Sequence, residues 1–291
     1  MSSDISLHKT SLRGLRETNE DVEKYHLNLA NNGKPKDPSF CPIDFLIICD
    51  GHGGIDVAEY VVPIAEKIFM KKDLVYPLSD VKIHKIFTSI QNKIIEHPKM
   101  IGAQCGCTAL IIIRYLDTKY GTQNVQIINL GDCRAVLSRK GLAIPLTKDH
   151  KPYWSDEKFR INKMCKNNKS EIHLDENGEW RIGDLSVSRG FGDLDNAPFI
   201  GCIPDVFVHP IVPGDEFIIM ACDGVFDVLE NHDVVNFIRD HINSNIVEMY
   251  NIPNRFLANE NSRNIATKLG EYAIAKGSTD NISIMIMFFD K

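Results

Sequence analysis

The sequence lacks any apolar run long enough to cross a membrane as a helix. Its first thirty residues also lack the apolar segment behind a basic start that a secretory signal peptide needs. Ser2 stands where N-myristoylation requires glycine. We therefore expect a protein that is not secreted and has no membrane partner.

Positive charge is also scarce. The 33 Lys and Arg residues are outnumbered by 39 Asp and Glu residues, which gives a formal net charge of -6 at pH 7. A protein that mainly binds nucleic acid needs a basic face, so this balance argues against a nucleic-acid partner. Acidic residues gathered in one place would instead attract cations.

The eight cysteines include no C-x-x-C pair, and several lie inside apolar runs, as buried thiols do. This usage favours a reducing compartment, so we expect a cytoplasmic and/or nuclear protein. Hydrophobic residues make up 43% of the 291-residue chain, enough for a substantial core. Neither repeats nor a flexible linker interrupt the sequence, which predicts a single domain over residues 1–291. We also expect a monomer.

Apolar residues at helical spacing predict helices over Ile55–Lys71, with a kink at Pro63, and over Asp80–His97. Further helices are expected at about residues 155–165, 231–243 and 260–276. Residues 31–42 are rich in Asn, Gly, Pro and Lys and predict a surface loop.

Short apolar runs predict many strands. Between residues 109 and 146 they are broken by Gly, Asp and Lys, which is typical of an antiparallel meander. The Asn177-Gly178 pair predicts a hairpin turn, so residues 166–184 should project as a polar flap. The predicted strands are Ile5–Leu12, Lys24–Leu29, 43–50, Ala109–Ile113, Val125–Leu130, Ala135–Ser138, Leu142–Leu146, Ile172–Leu174, Trp180–Ile182, Leu185–Ser188, 205–209, Glu216–Ala221 and Ile282–Phe289.

Two of these strands end in the same way. The run from Phe45 delivers Asp50 at its end, followed by Gly51 and His52, and the run from Glu216 ends in Cys-Asp-Gly at Asp223. Asp280 stands at the start of the last strand. Carboxylates supplied from rigid strand ends are what a site for two divalent ions needs, although each corner alone could be an ordinary solvated turn.

Eight short motifs occur in order along nearly the whole chain, and together they resemble the metal-dependent type 2C protein serine/threonine phosphatases. Singly they are weak signals, whereas eight in order are specific. The motifs are Arg16-x-x-x-Glu20-Asp21, Asp50-Gly-His-Gly-Gly54, Gly106-Cys-Thr-Ala109, Asn129-Leu-Gly-Asp-Cys-Arg134, Asp149-His-Lys-Pro152, Leu185-Ser-Val-Ser-Arg-Gly-Phe-Gly-Asp193, Cys222-Asp-Gly-Val225 and Thr279-Asp-Asn-Ile282.

The resemblance implies an α+β fold, a four-layer α-β-β-α sandwich in which two central antiparallel sheets are flanked by helix pairs. It implies hydrolysis of phosphoserine and phosphothreonine in phosphorylated proteins, by a water activated at a centre of two Mg²⁺ or Mn²⁺ ions. Patterns in the residues themselves predict no more than an α+β protein.

The resemblance also assigns roles. Asp50 would bridge the two ions, with the Gly51 carbonyl, Asp223 and Asp280 as further protein ligands. Glu20 and Asp21 would hold metal-bound waters, Arg16 would bind phosphoryl oxygens, and His52 would protonate the departing alkoxide. Asp132 resembles the position that, with Asp223, binds a weaker third ion, although an Asp at a strand corner can also simply stabilise the turn. We expect Arg189 and Asp193 to be structural, as a buried pair or a loop lock, rather than site residues.

Two other functions fit parts of the sequence. Cys133 and Arg139 have the C-x5-R spacing of a cysteine-dependent phosphatase, but the residues between them alternate like a strand and include no glycine. A catalytically inactive binding module with the same fold is the other alternative. Such a module is expected to have lost metal carboxylates, whereas Asp50, Asp223 and Asp280 are all present.

Overall fold

The structure, a computed structural model, describes residues 5–27, 44–71, 73–117, 119–165, 171–243 and 264–289. Within these residues the strands are β1 (Ile5–Leu12), β2 (Val22–His26), β3 (Asp44–Cys49), β4 (Gly51–His52), β5 (Gly106–Cys107), β6 (Ala109–Asp117), β7 (Thr122–Leu130), β8 (Arg134–Arg139), β9 (Leu142–Pro145), β10 (Ile172–Leu174), β11 (Trp180–Ile182), β12 (Phe191–Gly192), β13 (Asp205–Pro210), β14 (Asp215–Ala221) and β15 (Ile282–Phe289). The helices are α1 (Asp56–Phe69), α2 (Asp80–Ile95), α3 (Ser155–Asn162), α4 (Asp223–Phe226), α5 (Asn231–Asn243) and α6 (Ile265–Ala275), with a 3-10 turn at Leu194–Asn196.

Two five-stranded antiparallel sheets form the centre of the fold. One has the strand order β1-β15-β14-β8-β9 and the other β13-β7-β6-β3-β2. The inner strands, such as β3, β6 and β14, are apolar on both faces because each sheet packs against its partner sheet on one side and against helices on the other. In β3, for example, Leu46 and Ile48 point between the sheets, whereas Phe45, Ile47 and Cys49 point toward the helices.

The outer layers are the helix pairs. The apolar faces of α1 and α2, including Val61 and Phe87, pack on the β3 sheet, and those of α5 and α6, including Ile238 and Leu269, pack on the β14 sheet. The expected four-layer α-β-β-α sandwich is therefore confirmed. Helix α1 continues through Pro63 from Asp56 to Phe69.

The expected meander between residues 109 and 146 is wrong. Strands β6 and β7 pair in one sheet and β8 and β9 in the other, so the chain changes sheets between Leu130 and Arg134. Gly131, at φ 107°, makes this change of direction possible, because a side chain there would be strained. The crossing places Asp132 between the two sheets rather than in a hairpin turn.

A second correction concerns Leu185–Ser188, which was predicted as a strand. Only an isolated bridge joins Leu185 to Ile182, and the rest of this segment is irregular. Its backbone instead bonds to other loops, as where the Ser188 amide donates to the His150 carbonyl at 2.9 Å. The predicted surface loop at 31–42, the last two residues of the strand Lys24–Leu29 and the predicted helical residues 260–263 lie outside the described residues.

The described part of the flap forms the predicted hairpin of β10 and β11. Nearby, the buried carboxylate of Glu157 accepts hydrogen bonds from Arg160 and from Arg189, and Arg189 also donates to Asp205 at 2.9 Å. Arg189 thus ties α3 to the start of β13, which agrees with the structural role expected for it. None of the helices described is both long and apolar enough to cross a membrane.

Candidate metal centre

The ends of three strands from both sheets meet at one end of the sandwich. Asp50 follows β3 in one sheet, while Asp223 follows β14 and Asp280 precedes β15 in the other. The Asp50 amide donates to the Thr108 hydroxyl at 3.0 Å, and the Thr108 amide donates to the Asp50 carbonyl at 2.9 Å. These bonds fix the backbone that carries the central carboxylate.

Of the nine residues predicted for the site, eight line a single pocket, namely Arg16, Glu20, Asp50, Gly51, His52, Asp132, Asp223 and Asp280. One ligand oxygen from each of Asp50, Asp132 and Asp223 lies within 4.8 Å of the others, close enough to hold a metal ion. The structure therefore brings the predicted residues together, across more than 260 positions of sequence.

Asp21, the ninth residue, lies behind the pocket and is only 8% exposed. Both of its carboxylate oxygens are buried without a hydrogen-bond partner, although the Ser283 hydroxyl and the Cys222 thiol lie near. Burial, together with the charge of Asp280, raises the pKa of Asp21 to about 6. An orphaned buried carboxylate is expected to attract a cation or a cation's bound water.

The loop that carries Arg16 and Glu20 is held by Asn281, the residue after Asp280. The Asn281 side chain accepts from the Glu20 amide at 2.9 Å and donates to the Thr18 carbonyl at 2.8 Å. Gly51 lets this loop come close, because a Cβ there would lie 2.4 Å from the Glu20 carbonyl oxygen. Asn281 is thus a supporting residue that we had not assigned from the sequence.

Crowding of carboxylates dominates the electrostatics of the pocket. Burial and the neighbouring charges of Asp223, Asp21 and Asp132 raise the pKa of Asp50 well above its ordinary value. Burial and the charge of Asp132 do the same to Asp223. Ionising these groups together is unfavourable without cations, so the pocket is suited to bind them.

Two cationic side chains already contact these carboxylates. Arg16, whose side chain is 58% exposed, donates to Asp280 Oδ2 at 2.8 Å. Lys151, in the Asp149-His-Lys-Pro152 motif, donates to Asp132 Oδ2 at 2.5 Å. Apart from its place in this motif, nothing in the sequence indicates that Lys151 contacts Asp132.

Asp227 is a further carboxylate near the pocket that sequence reasoning missed. It lies one turn after Asp223, and its amide donates to the Asp223 carbonyl at 2.8 Å. Burial raises its pKa, and the charge of Lys151 offsets part of that rise. The i,i+4 spacing of two Asp residues at a predicted strand end could have indicated it.

His52 is oriented by Asp193. The imidazole Nε2 donates to Asp193 Oδ1 at 2.7 Å, and the Asp193 side chain is almost fully buried. Burial would lower the pKa of His52, but the bond to Asp193 together with the charges of Asp193, Asp132 and Glu20 outweighs it, so the pKa is raised. Our expectation of a purely structural Asp193 therefore missed its contact with a site residue.

The residues that line the pocket include no cysteine. Cys133 is 0% exposed, and burial and the charge of Asp50 raise the pKa of its thiol well above the ordinary value. Arg139 lies at the other end of β8, where it pairs with Asp215. The C-x5-R spacing is therefore strand geometry, and the pocket offers oxygen atoms, which suit Mg²⁺ or Mn²⁺.

Comparison with known proteins gives a family match over most of the chain. The model described as protein phosphatase 2C matches residues 5–282. The PP2C-like domain-containing protein R307 of Acanthamoeba polyphaga mimivirus is 59% identical over 175 residues, which are 58% of this chain and 96% of that protein. Probable protein phosphatase 2C 7 of Oryza sativa subsp. japonica is 30% identical over 290 residues, 98% of this chain but only 66% of the rice protein.

Solved structures share the fold. The crystal structure of serine-threonine phosphatase 2C from Toxoplasma gondii superposes with a TM-score of 0.70 and 20% sequence identity, covering 99% of this chain and 95% of that chain. At this level of identity the likeness concerns the fold alone.

Proposed function

This chain belongs to the protein phosphatase 2C family, and we propose that it is a metal-dependent phosphatase for phosphoserine and phosphothreonine in proteins. One observation carries the proposal. Asp50, Asp132 and Asp223, which come from three separate segments, bring carboxylate oxygens within 4.8 Å of one another beside Arg16 and His52. No position that the family resemblance required for the centre has lost its oxygen ligand.

The residues present fit two divalent ions. Asp50, Asp223, Asp280 and the Gly51 carbonyl would hold them, and Glu20 with the orphaned oxygens of Asp21 would hold their waters. When bound, such ions lower the pKa of a water and neutralise charge on phosphoryl oxygens. The raised pKa values of Asp50 and Asp223 are consistent with a site completed by cations.

The chain's own side chains have separate tasks in this proposal. Arg16 releases Asp280 and places its guanidinium fork on two phosphoryl oxygens of the substrate. His52 is held through Nε2 by Asp193, so its proton for the departing serine or threonine alkoxide comes from Nδ1. The carboxylate of Asp193 fixes this ring orientation and stabilises the protonated ring.

Metal-dependent turnover of a phosphopeptide tests the proposal. Metal-free protein should hydrolyse a phosphoserine or phosphothreonine peptide after addition of Mn²⁺ or Mg²⁺ and lose this activity in EDTA. Phosphate release with and without the ions measures it. Specific binding of phosphopeptides without turnover would support the inactive binding module instead, and activity that survives chelation would contradict the metal mechanism.

Asp50→Asn tests the centre itself. The variant should lose at least about 100-fold in turnover, because even partners that only orient ligands are worth 10- to 100-fold. Circular dichroism and thermal melting establish that the fold is kept, and Asp73→Asn, which changes an exposed carboxylate, is the matched control. Wild-type rates in a folded Asp50→Asn protein would show that Asp50 is not a ligand.

A further inference from the structure

Lys151 lies with its charge inside the cluster of carboxylates. Its Nζ is 2.5 Å from Asp132 Oδ2 and 3.9 Å from Asp223 Oδ2, and its side chain is only 13% exposed. The ammonium group faces the same carboxylate oxygens that can hold a metal ion.

Hydrogen bonds of the two preceding residues, Asp149 and His150, hold the backbone in a position from which the Lys151 side chain reaches the carboxylates. The amide of His150 donates to the Gly131 carbonyl at 2.9 Å, and the Gly131 amide donates back to His150 Nδ1 at 3.0 Å. On the other side, Arg134 donates twice to the carboxylate of Asp149, at 3.0 and 2.7 Å. These contacts join the residues before Lys151 to the crossing that holds Asp132.

We propose that the ammonium group of Lys151 occupies a cation position between Asp132 and Asp223 and competes there with a third divalent ion. The inference rests on the proposed function, because it takes the two-ion centre as given. An ammonium ion on Asp132 Oδ2 and a divalent ion on the same oxygen exclude each other sterically and repel each other electrostatically. A third ion therefore binds only when the lysine side chain turns away.

Binding of Mn²⁺ to the metal-free whole chain tests this competition without reference to activity. The electron paramagnetic resonance signal of free Mn²⁺ gives the number and affinity of bound ions. Lys151→Met keeps an unbranched side chain, one atom shorter, and removes its charge. It should tighten the weakest class of Mn²⁺ sites by at least about tenfold. Lys148→Met is the matched control, since Lys148 is an exposed lysine that pairs with Asp156, and its isotherm should equal that of the wild type.

A double variant locates the gained site. Adding Asp132→Asn to Lys151→Met should remove the tightened class, whereas its persistence would place the ion elsewhere and overturn the proposal. An unchanged isotherm in Lys151→Met would overturn it as well. Lys151→Gln, checked by circular dichroism, gives the same test if the Met variant does not fold.

Failure of this inference is distinguishable from failure of the proposed function. A wild-type chain that binds two Mn²⁺ ions and hydrolyses a phosphopeptide, beside an unchanged Lys151→Met isotherm, contradicts the competition alone. A wild-type chain that binds no Mn²⁺, and whose Lys151→Met variant binds none, contradicts both.

Discussion

Replacing Asp21 with Asn should stabilise the metal-free protein, although most changes to buried polar residues destabilise. Asp21 carries two buried oxygens without hydrogen-bond partners, and burial raises its pKa to about 6 from the ordinary value of 3.8. The folded chain therefore holds this proton more tightly than the unfolded chain does. Ionising Asp21 at neutral pH costs folding free energy that a neutral Asn does not cost.

The magnitude follows from the two pKa values. Because the pKa is raised on folding, the wild type loses stability as the pH rises through the window from about 4 to about 6, and the loss is complete above it. The rise in the pKa from 3.8 to about 6 corresponds to about 3 kcal/mol at pH 7.5 and about 1 kcal/mol at pH 4.5. The Asp21→Asn variant should therefore exceed the wild type by about 3 kcal/mol at pH 7.5, with a melting temperature higher by on the order of 5 °C.

Urea unfolding of both metal-free proteins at pH 7.5 and pH 4.5 measures the effect. Asp73→Asn controls for the loss of one acidic residue and should show no such pH-dependent gain. Added Mn²⁺ should narrow the difference, since only the wild type offers a carboxylate to the ions' waters. A variant that is less stable than the wild type by the same amount at both pH values would refute the reasoning, because it would show that Asp21 supports the fold.

Three further changes have defined outcomes. Asp193→Asn should lower kcat for a phosphoserine peptide at least about tenfold. It should lower kcat for p-nitrophenyl phosphate less, because that leaving group barely needs the proton of His52. Equal losses on both substrates would contradict the positioning role. Asp44→Asn should lower the free energy of unfolding by about 3–5 kcal/mol in urea titrations, since it leaves the charge of Arg114 buried in the β3 sheet without its carboxylate. Cys133→Ser should keep turnover within about a factor of two of the wild type, and loss of activity in a folded variant would revive the thiol mechanism.

Elements with a strong local pattern were predictable from the sequence. Helix α5 was expected at 231–243 and is found at Asn231–Asn243, and the hairpin strands Ile172–Leu174 and Trp180–Ile182 are found as predicted. In these segments the spacing of apolar residues or the Asn177-Gly178 turn determines the local structure. Leu185–Ser188 has an apolar alternation too, but the backbone of Ser188 bonds to His150 and Gly201 in distant loops, which no local pattern shows.

The assignment of strands to sheets was not predictable in the same way. Both sheets contain apolar antiparallel strands, so nothing in β7 or β8 themselves says that they belong to different layers. The change of sheet depends on Gly131 and on the pairing of β13 with β7 and of β14 with β8. These pairings join segments that are far apart in the sequence.

The carboxylates of the site could be predicted because they lie next to buried strands and in motifs. The side chain that orients His52 and the one that compensates the charge of Asp132 could not be predicted. Asp193 is 141 positions from its partner His52. Lys151 lies in the loop between β9 and α3 and contacts Asp132 between β7 and β8. Such contacts depend on how loops pack at one end of the sandwich, which sequence spacing does not determine.

Metal binding and folding should be coupled in this chain. The side chains of Lys151 and Arg16, which contact the carboxylates, determine the strength of this coupling. Burial and neighbouring carboxylates make it unfavourable to ionise Asp50 and Asp223. The same repulsion lowers the stability of the metal-free fold and favours the binding of divalent ions. Lys151 is buried and lowers this electrostatic cost at Asp132 as long as no third ion replaces it, whereas Arg16 is mostly exposed and can leave Asp280 when an ion or a phosphoryl group arrives. Ion binding therefore neutralises the most uncompensated negative charge on the side of the pocket near Asp50 and Asp280. Most of the increase in the free energy of unfolding on adding Mn²⁺ should come from ions bound there.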